Sequence, residues 1–169
     1  MKPNVSMTSL LAAMAVALTA TSAGAQTAPP RDRPEYVEPR VYSAEEAVRG
    51  VAETGYLPGQ FAFVVRGGGR ELGRVFLNSQ VDYRDPGTLT VVVRGAALDA
   101  LTEQLGGPPE DRLIGRTVVV DGVALRTRIN ISEGGRPTDR FYFQAHVAAE
   151  RADQIHVMPG APVPIVAPR

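Results

Sequence analysis

The segment from Gly73 to Arg94 decides the fold of this chain, and it reads G-R-V-F-L-N-S-Q-V-D-Y-R-D-P-G-T-L-T-V-V-V-R. Arg74 to Ser79 and Leu89 to Arg94 are rich in β-branched or large apolar residues, which are typical of β-strands. Between them lies Asp85-Pro86-Gly87, in which proline sets φ near about −65° and glycine accepts a positive φ. The segment therefore predicts a hairpin of two strands joined by a turn.

Alternate side chains of a strand point to opposite faces of its sheet. Leu89, Val91 and Val93 share the apolar face of the second strand, which we expect to face the core. Thr90 and Arg94 then face outward. A matching register in the first strand places further side chains on the same outer face: Arg74, Phe76 and Asn78.

The first residues have the organisation of a signal peptide. Lys2 gives a positive start, Leu10 to Ala20 is an apolar run, and Ala23-Gly24-Ala25 supplies a small-x-small cleavage site. The apolar run is shorter than the ~20 residues that a membrane-spanning helix needs. These features predict a signal peptide over residues 1–25, a mature chain that begins at Gln26, and a periplasmic or secreted location.

The composition of the mature chain limits the classes of partner. It would have 169 − 25 = 144 residues, which suits a single domain, and it has no cysteine for a disulfide framework. Lys2 is the only lysine, so 18 − 1 = 17 basic residues, all arginine, stand against 18 acidic ones. This near-neutral balance argues against the broad basic surface of proteins that bind nucleic acid non-specifically.

Proline-rich segments flank the central part of the mature chain. We expect a flexible leader over residues 26–40 and a folded domain over residues 41–158. The tail over residues 159–169 is rich in proline and has no apolar period, so it should form no regular element.

Two helices are predicted within the folded domain. Ser43 and Glu46 form a capping box, in which each side chain can satisfy the other residue's backbone amide, so a short helix should run from Ala44 to about Val51. A second helix is expected from Ala96 to Leu105. Its apolar stripe consists of three leucines: Leu98, Leu101 and Leu105.

Three further strands are expected at Gln60 to Arg66, Arg116 to Asn130 and Arg140 to Val147. Gly67-Gly68-Gly69 after the first of them predicts a flexible hairpin loop. Asp121-Gly122 is either a tight turn between two strands or a bulge in one long bent strand, and we favour the bent strand.

The predicted order is strand, strand, strand, helix, strand, strand, preceded by the short helix. Helices do not alternate with every strand, which argues against a parallel α/β sheet, and a sandwich would have more strands without a central helix. The predicted fold class is mainly β: a five-stranded Greek-key OB-type barrel with one helix between strands 3 and 4, plus a short N-terminal helix. The leucine stripe would fill the open end of that barrel.

The region from about Phe61 to Val157 also resembles bacterial OB-fold domains of the nucleic-acid-binding type. The phrase F-L-N-x-x-x-D-Y-x-D begins at Phe76, and L-T-V-V-V begins at Leu89. A later phrase, G-R-T-V-V-V-D-G from Gly115, is similar to the family's G-K-x-V-x-V-x-G, with arginine where lysine is common. The resemblance implies the OB fold over most of the mature domain and leaves the ligand open.

Neither metal nor catalytic chemistry is expected. His146 and His156 are the only histidines, they lack a metal-binding spacing, and we expect both on the strand surface. No G-x-S-x-G motif is present to position a nucleophile. The sequence therefore predicts no cofactor, no metal and no enzymatic activity, with a hydrolase on an OB barrel as the less favoured alternative.

The candidate binding site lies on the central hairpin and its turn, rather than around the histidines. Its residues are Arg74, Phe76, Asn78, Tyr83, Arg84 and Arg94. Aromatic rings can stack on bases or sugars, and arginines can hold phosphates. We expect an exported binding module for an oligonucleotide or an oligosaccharide, without a membrane span after signal cleavage. The alternative is an envelope module that binds another protein or has a structural role.

Overall fold

The computed structural model describes residues 40–165. The predicted signal peptide, the predicted leader up to residue 39, and residues 166–169 lie outside the described residues. The described part is mainly β with few helices, as the sequence predicts. Its strands form one eight-stranded mixed sheet rather than a sheet of five.

The described residues form eight strands, two longer α-helices, one short α-helix and one 3-10 turn. The strands are β1 Val41–Ser43, β2 Tyr56–Val64, β3 Gly67–Glu71, β4 Arg74–Asn78, β5 Leu89–Val93, β6 Thr117–Glu133, β7 Arg136–Ala149 and β8 Ile155–Val157. The helices are α1 Ala44–Thr54, α2 Ala96–Leu105 and α3 Pro109–Arg112, with a 3-10 turn at Ala152–Gln154.

The strand order in the sheet is β1-β2-β6-β7-β5-β4-β3, and β8 pairs with β6. The β1–β2 and β5–β7 pairs are parallel, and the other pairs are antiparallel. β2 and β3 lie towards opposite ends of this order, yet they are consecutive in the chain. The sheet therefore curls so that these two strands come together.

The residues between β2 and β3 show how this curl is held. The Val65 amide donates to the carbonyl of Arg116, just before β6, at 2.9 Å. The next amide, that of Arg66, donates to the carbonyl of Asn78 in β4, also at 2.9 Å. Two successive residues therefore connect the β6 side of the sheet with the β4 side.

The core is formed by apolar side chains from strands throughout the sheet and from both long helices. Fully buried members include Phe61, Val75, Val93, Val120 and Val147. In α2, Leu98 and Leu101 are buried and Leu105 is partly buried against the same core, which agrees with the predicted stripe. The inward face of β5 is also as predicted, because Leu89, Val91 and Val93 are fully buried.

The capping box of α1 is confirmed. The Ser43 hydroxyl accepts from the Glu46 amide at 3.2 Å, and Glu46 Oε2 accepts from the Ser43 amide at 2.9 Å. The Ser43 backbone amide that donates to the carboxylate is the main cause that holds the pKa of Glu46 below its usual value, and the Ser43 side chain adds to it. The helix is longer than predicted, since it ends only at Thr54, before Gly55 with a φ of 82°.

The prediction of a loop at Gly67-Gly68-Gly69 is wrong, because these residues begin β3 and pair with β4. Their lack of side chains serves close packing. A Cβ on Gly68 would lie 2.8 Å from the carbonyl oxygen of Glu110 in α3, and one on Gly67 would lie 2.8 Å from the carbonyl oxygen of Gln80. Close backbone approach, rather than loop flexibility, accounts for Gly67 and Gly68, whereas a Cβ on Gly69 would meet open space.

Other element boundaries also differ from the prediction. Residues 56–59 belong to β2, where Pro58 is tolerated because β1 pairs only with residues 60–62 and leaves that side of β2 open in the described chain. Between α2 and β6 lies the short helix α3, which the sequence did not predict. Residues 159–165 form no helix or strand, although the Val163 amide donates to the Gly115 carbonyl at 2.7 Å.

The long strand predicted around Asp121-Gly122 is a single strand, β6, of 17 residues. Up to Leu125 it pairs with β2, whereas from Arg126 to Glu133 its strand partner in the described chain is β7 alone. Residues 126–133 and 136–144 thus form a two-stranded extension of the sheet, which we call the free ribbon. It is the element that positions the candidate site.

Candidate ligand-binding groove

A groove of about 470 Å³ lies between the outer face of β4 and β5 and the free ribbon. One wall comes from β3 and β4, the floor from β4, β5 and β7, and the other wall from the ribbon. The lining residues are Gly69, Arg70, Glu71, Arg74, Phe76, Asn78, Tyr83, Thr90, Val92, Thr127, Ile129, Tyr142, Gln144 and His146.

Three polar residues form a row across the floor. Asn78 of β4 pairs in register with Thr90 of β5, and Thr90 pairs with His146 of β7. The Thr90 hydroxyl donates to Asn78 Oδ1 at 2.9 Å. Only 6% of Asn78 and 2% of Thr90 is exposed, so these polar groups lie at the bottom of the groove rather than on open surface.

His146 is neutral at physiological pH, because burial lowers its pKa to about 4. The Gln144 side-chain amide donates to the Tyr83 carbonyl, so its Oε1 is the atom that accepts from His146 Nε2 at 3.1 Å. That arrangement assigns the proton to Nε2 and leaves Nδ1 as a hydrogen-bond acceptor. The same Gln144 contact ties the β4–β5 loop to the floor.

Arginines lie over aromatic rings along the groove. The Arg74 guanidinium is 5.6 Å from the centre of the Phe76 ring, and that of Arg84 is 5.1 Å from the centre of the Tyr83 ring. Arg84 Nε also donates to the Tyr83 hydroxyl oxygen at 3.1 Å. Stacked guanidinium groups keep their edges available for an anionic ligand.

Arg70 is the groove arginine that already has an ionic partner. Its Nε and Nη2 donate to the two carboxylate oxygens of Glu110 at 2.6 and 3.1 Å. This pairing holds the pKa of Glu110 below its usual value. Arg70 therefore anchors α3 to β3 and is less available to a ligand than Arg74.

A second hollow of about 540 Å³ continues the groove toward the tip of the free ribbon. It shares Tyr83, Ile129 and Tyr142 with the groove, so the two form one elongated cleft. Burial raises the pKa of the Tyr142 hydroxyl above its usual value, which keeps that group protonated. The remaining residues of the second hollow are Arg84, Asn130, Ile131, Ser132 and Arg140.

The structure brings most of the sequence-predicted site residues together. Arg74, Phe76, Asn78 and Tyr83 line the groove, and Arg84 lines the adjoining hollow. Arg94 does not join them. It lies at the far end of β5, where its guanidinium is paired with Glu150 and its amide donates to the Ala149 carbonyl.

Sequence reasoning did not place Gln144 of β7 in the site and misplaced one histidine. His146 was expected as an ordinary surface residue away from the site, yet it forms part of the groove floor beside Gln144. The alternation in β7 does put Tyr142, Gln144 and His146 on one face, but it does not tell that the ribbon lies against β4 and β5. His156 is outside the groove, where its Nε2 is 3.1 Å from Asp121 Oδ2.

The opposite face of the free ribbon carries a second aromatic-arginine arrangement. Arg126 lies 3.8 Å from the centre of the Phe143 ring, and Arg128 lies 4.1 Å from that of Phe141. The two phenylalanine rings meet edge to face at 5.6 Å. They remain 38% and 47% exposed for Phe143 and Phe141, respectively.

Two further properties concern the described residues alone. Between residues 40 and 165, no three His, Asp or Glu side chains converge in a way that could hold a metal ion. Over the same span, no helix has the length and apolar character needed to cross a membrane.

No protein-family model matches the chain, and the curated proteins give no significant match either. Among solved structures, the chain is similar to a protein described as an aspartyl-tRNA synthetase from Leishmania major Friedlin. The identity is 14% and the TM-score 0.39, over 77% of this chain and 22% of that one. The chain therefore spans less than a quarter of the length of that structure.

Proposed function

We propose that this protein is an exported, non-catalytic module with an OB-type barrel that binds a short single-stranded nucleic acid in the groove. One observation carries the proposal. Phe76, Tyr83 and Tyr142 are arranged along a cleft with Arg74 and Arg84 beside them. Successive rings beside positive charge match the stacked bases and phosphates of a single strand.

The topology supports the OB interpretation of the fold. If β2 and β3 are taken as two halves of one bent strand, the remaining neighbours are β4, β5, β7 and β6 in that order. This gives the order 1-2-3-5-4-1, with α2 between the third and fourth strands, as in a five-stranded Greek-key barrel. The groove then lies on the second and third strands, where OB domains bind their ligands.

The chemistry of the groove supports binding rather than catalysis. A histidine with a pKa of about 4 is a weak general base at neutral pH, and His146 is also bonded to Gln144. The floor offers hydrogen bonds from neutral groups, and the rims offer rings and guanidinium groups. Stacking of each base on an aromatic ring contributes roughly 1–3 kcal/mol in single-strand binding.

Export is supported by the sequence of residues 1–25, with its apolar run and Ala23-Gly24-Ala25 cleavage site. The intact mass of protein recovered from outside the cytoplasm should correspond to a chain that starts at Gln26. A mature form that retains Met1 would contradict the export proposal, and it would leave the proposal of binding in the groove unaffected.

The binding test compares a labelled single-stranded DNA of mixed sequence with a neutral oligosaccharide, at two salt concentrations. We expect DNA binding that weakens with salt, and a Phe76→Ala variant that loses roughly 1–3 kcal/mol of binding free energy. Arg74→Gln should reduce the salt slope by about one unit, because one phosphate contact is lost.

Two variants outside the groove serve as controls. Arg94→Gln removes an arginine that is paired with Glu150, and His156→Ala removes the histidine that lies beside Asp121. Both should bind DNA like the wild type. If only the oligosaccharide binds, and without salt dependence, the groove is a glycan site and the nucleic-acid proposal is wrong.

A second function has an observation of its own. The exposed rings of Phe141 and Phe143 on the outer face of the ribbon would suit contact with an envelope protein. If neither DNA nor oligosaccharide binds, while a Phe141→Ser/Phe143→Ser double variant loses a partner that co-purifies with the wild type, this alternative replaces the first.

A further inference from the structure

The turn between β3 and β4 combines an exposed apolar side chain with an unfavourable backbone conformation. Glu71 and Arg74 are paired across the strands, so Leu72 and Gly73 are the two residues of the turn. Their φ angles are 48° and 73°. Positive φ at both central residues is the signature of a type I′ turn, which favours Asn-Gly.

Leucine is a poor choice for the first position of this turn. Its Cβ disfavours the left-handed region, which asparagine and glycine enter readily. Among non-glycine residues of the described chain, Leu72 is the one with a positive φ. The turn sequence Leu-Gly therefore costs stability that Asn-Gly would avoid.

The folded domain gains nothing in return from burial of the leucine. Leu72 is 85% exposed, more than any other large apolar residue between residues 40 and 165. Burial is what makes an apolar side chain stabilising, so this one contributes little to folding. The conformation is unfavourable, and burial of the side chain among residues 40–165 does not compensate for it.

The position of the turn relates it to the groove. Glu71 and Arg74, on either side of Leu72 and Gly73, both line the groove. Along β4 and the loop that follows, the lining residues are Arg74, Phe76, Asn78 and Tyr83. Leu72 therefore stands at the β3–β4 end of the cleft, and Tyr83 and the ribbon tip stand at the other.

We propose that Leu72 is an apolar cap at this end of the groove, and that its side chain packs against the face of the last base of the bound strand. This inference rests on the proposed nucleic-acid binding. An exposed leucine on a two-residue turn offers apolar surface that is not buried within the described domain. Contact with a base buries that apolar surface only in the complex, so the leucine contributes to DNA affinity rather than to the stability of the free domain.

The test is a substitution with opposite expected effects on stability and on binding. Leu72→Asn should raise the melting temperature by roughly 2–5 °C, because asparagine suits the turn. The same variant should bind single-stranded DNA about three- to tenfold more weakly, as expected if about half of a leucine side chain is buried in the complex. Leu72→Met should keep both the wild-type affinity and the wild-type stability.

A matched control is Met158→Asn, which removes an exposed apolar residue outside the groove lining and should leave DNA affinity unchanged. If Leu72→Asn binds DNA like the wild type, the cap is wrong and the proposed function stands. If the variant loses stability, the account of the turn is wrong. If the wild type binds no DNA at all, the proposed function fails and the cap fails with it.

Discussion

The strands β6 and β7 each consist of two regions that differ in what surrounds them. In residues 117–125 and 145–149, which we call the anchored region, each strand has further strand neighbours: β2 and β8 for β6, and β5 for β7. In the free ribbon, the two strands pair with each other alone among residues 40–165. The inward face of the anchored region holds small buried residues such as Val120 and Val147, whereas the ribbon continues that face with Phe143 and Phe141.

The difference shows that one alternation pattern can serve two purposes. In the anchored region, inward side chains are removed from water and stabilise the fold. In the ribbon, the core of the described residues does not cover the same face, and its rings are covered in part by arginines. We infer that the stability of the domain depends on the anchored region. Substitutions in the free ribbon should lower the free energy of unfolding only slightly.

The largest effect is expected in the core that the anchored region helps to build. Leu101→Ala should lower the free energy of unfolding by about 2–5 kcal/mol, because Leu101 is only 2% exposed and its truncation leaves a cavity. Chemical denaturation would measure it. A loss below about 0.5 kcal/mol would show that the α2 stripe does not support the core.

The next effect concerns the outer face at the junction of the two regions, where His146 lies. Its folded-state pKa of about 4 is below the ordinary value of 6.5, so the unfolded chain binds a proton first. The neutral His146 therefore stabilises the folded state above pH 6.5, and this contribution to the free energy of unfolding is lost as the pH falls toward 4. The loss amounts to at most about 3 kcal/mol.

A His146→Gln variant should therefore lose less stability than the wild type between pH 7 and pH 4 (denaturation at each pH would show it). Carboxylates such as Glu46 and Glu110 also favour the folded state less in acid, but they are present in both proteins and cancel in the comparison. His156→Gln is the control, since its ring is exposed. Parallel pH profiles for wild type and His146→Gln would refute the assignment.

A smaller loss is expected in the ribbon, although a larger side chain is removed. Phe143→Ala should cost about 1 kcal/mol, because the ring is 38% exposed and its main partner is Arg126. A double-mutant cycle with Arg126→Ala should give a coupling of about 0.5–1 kcal/mol. A loss of more than about 3 kcal/mol would mean that the ribbon is as important for stability as the core.

The smallest effect is expected for the tail. A chain that ends at Met158 should melt within a few degrees of the full chain, because residues 159–165 form no regular element and the Val163 amide provides a single backbone bond to Gly115. Calorimetry would measure the difference. A fall in melting temperature of more than about 10 °C would show that the tail contributes to stability as the anchored region does, and not as little as the ribbon.

The sequence predicts those features that depend on local patterns. The alternation in β5, the leucine stripe of α2 and the capping box at Ser43 are all visible within a few residues, and all are confirmed. Leu105 is only partly buried, which a helical period cannot tell in advance.

Features that depend on distant contacts were not predictable. Gly67 and Gly68 belong to a strand because they pair with β4. They must be glycines because backbone from α3 and from the β4–β5 loop comes close, and no neighbouring residue signals that approach. For the site, the hairpin side chains followed from the register. His146 and Gln144 could not be placed in the groove, because their position depends on how the ribbon lies against β4 and β5.

The two amides at Val65 and Arg66 have a consequence for how the domain comes apart. They bond to opposite sides of the curled sheet within one step of the chain, to Arg116 on one side and Asn78 on the other. Neither side can open at this junction without straining the bonds of the other. We therefore expect both sides to unfold in one cooperative transition, with these two amides exchanging their hydrogens about as slowly as the core itself.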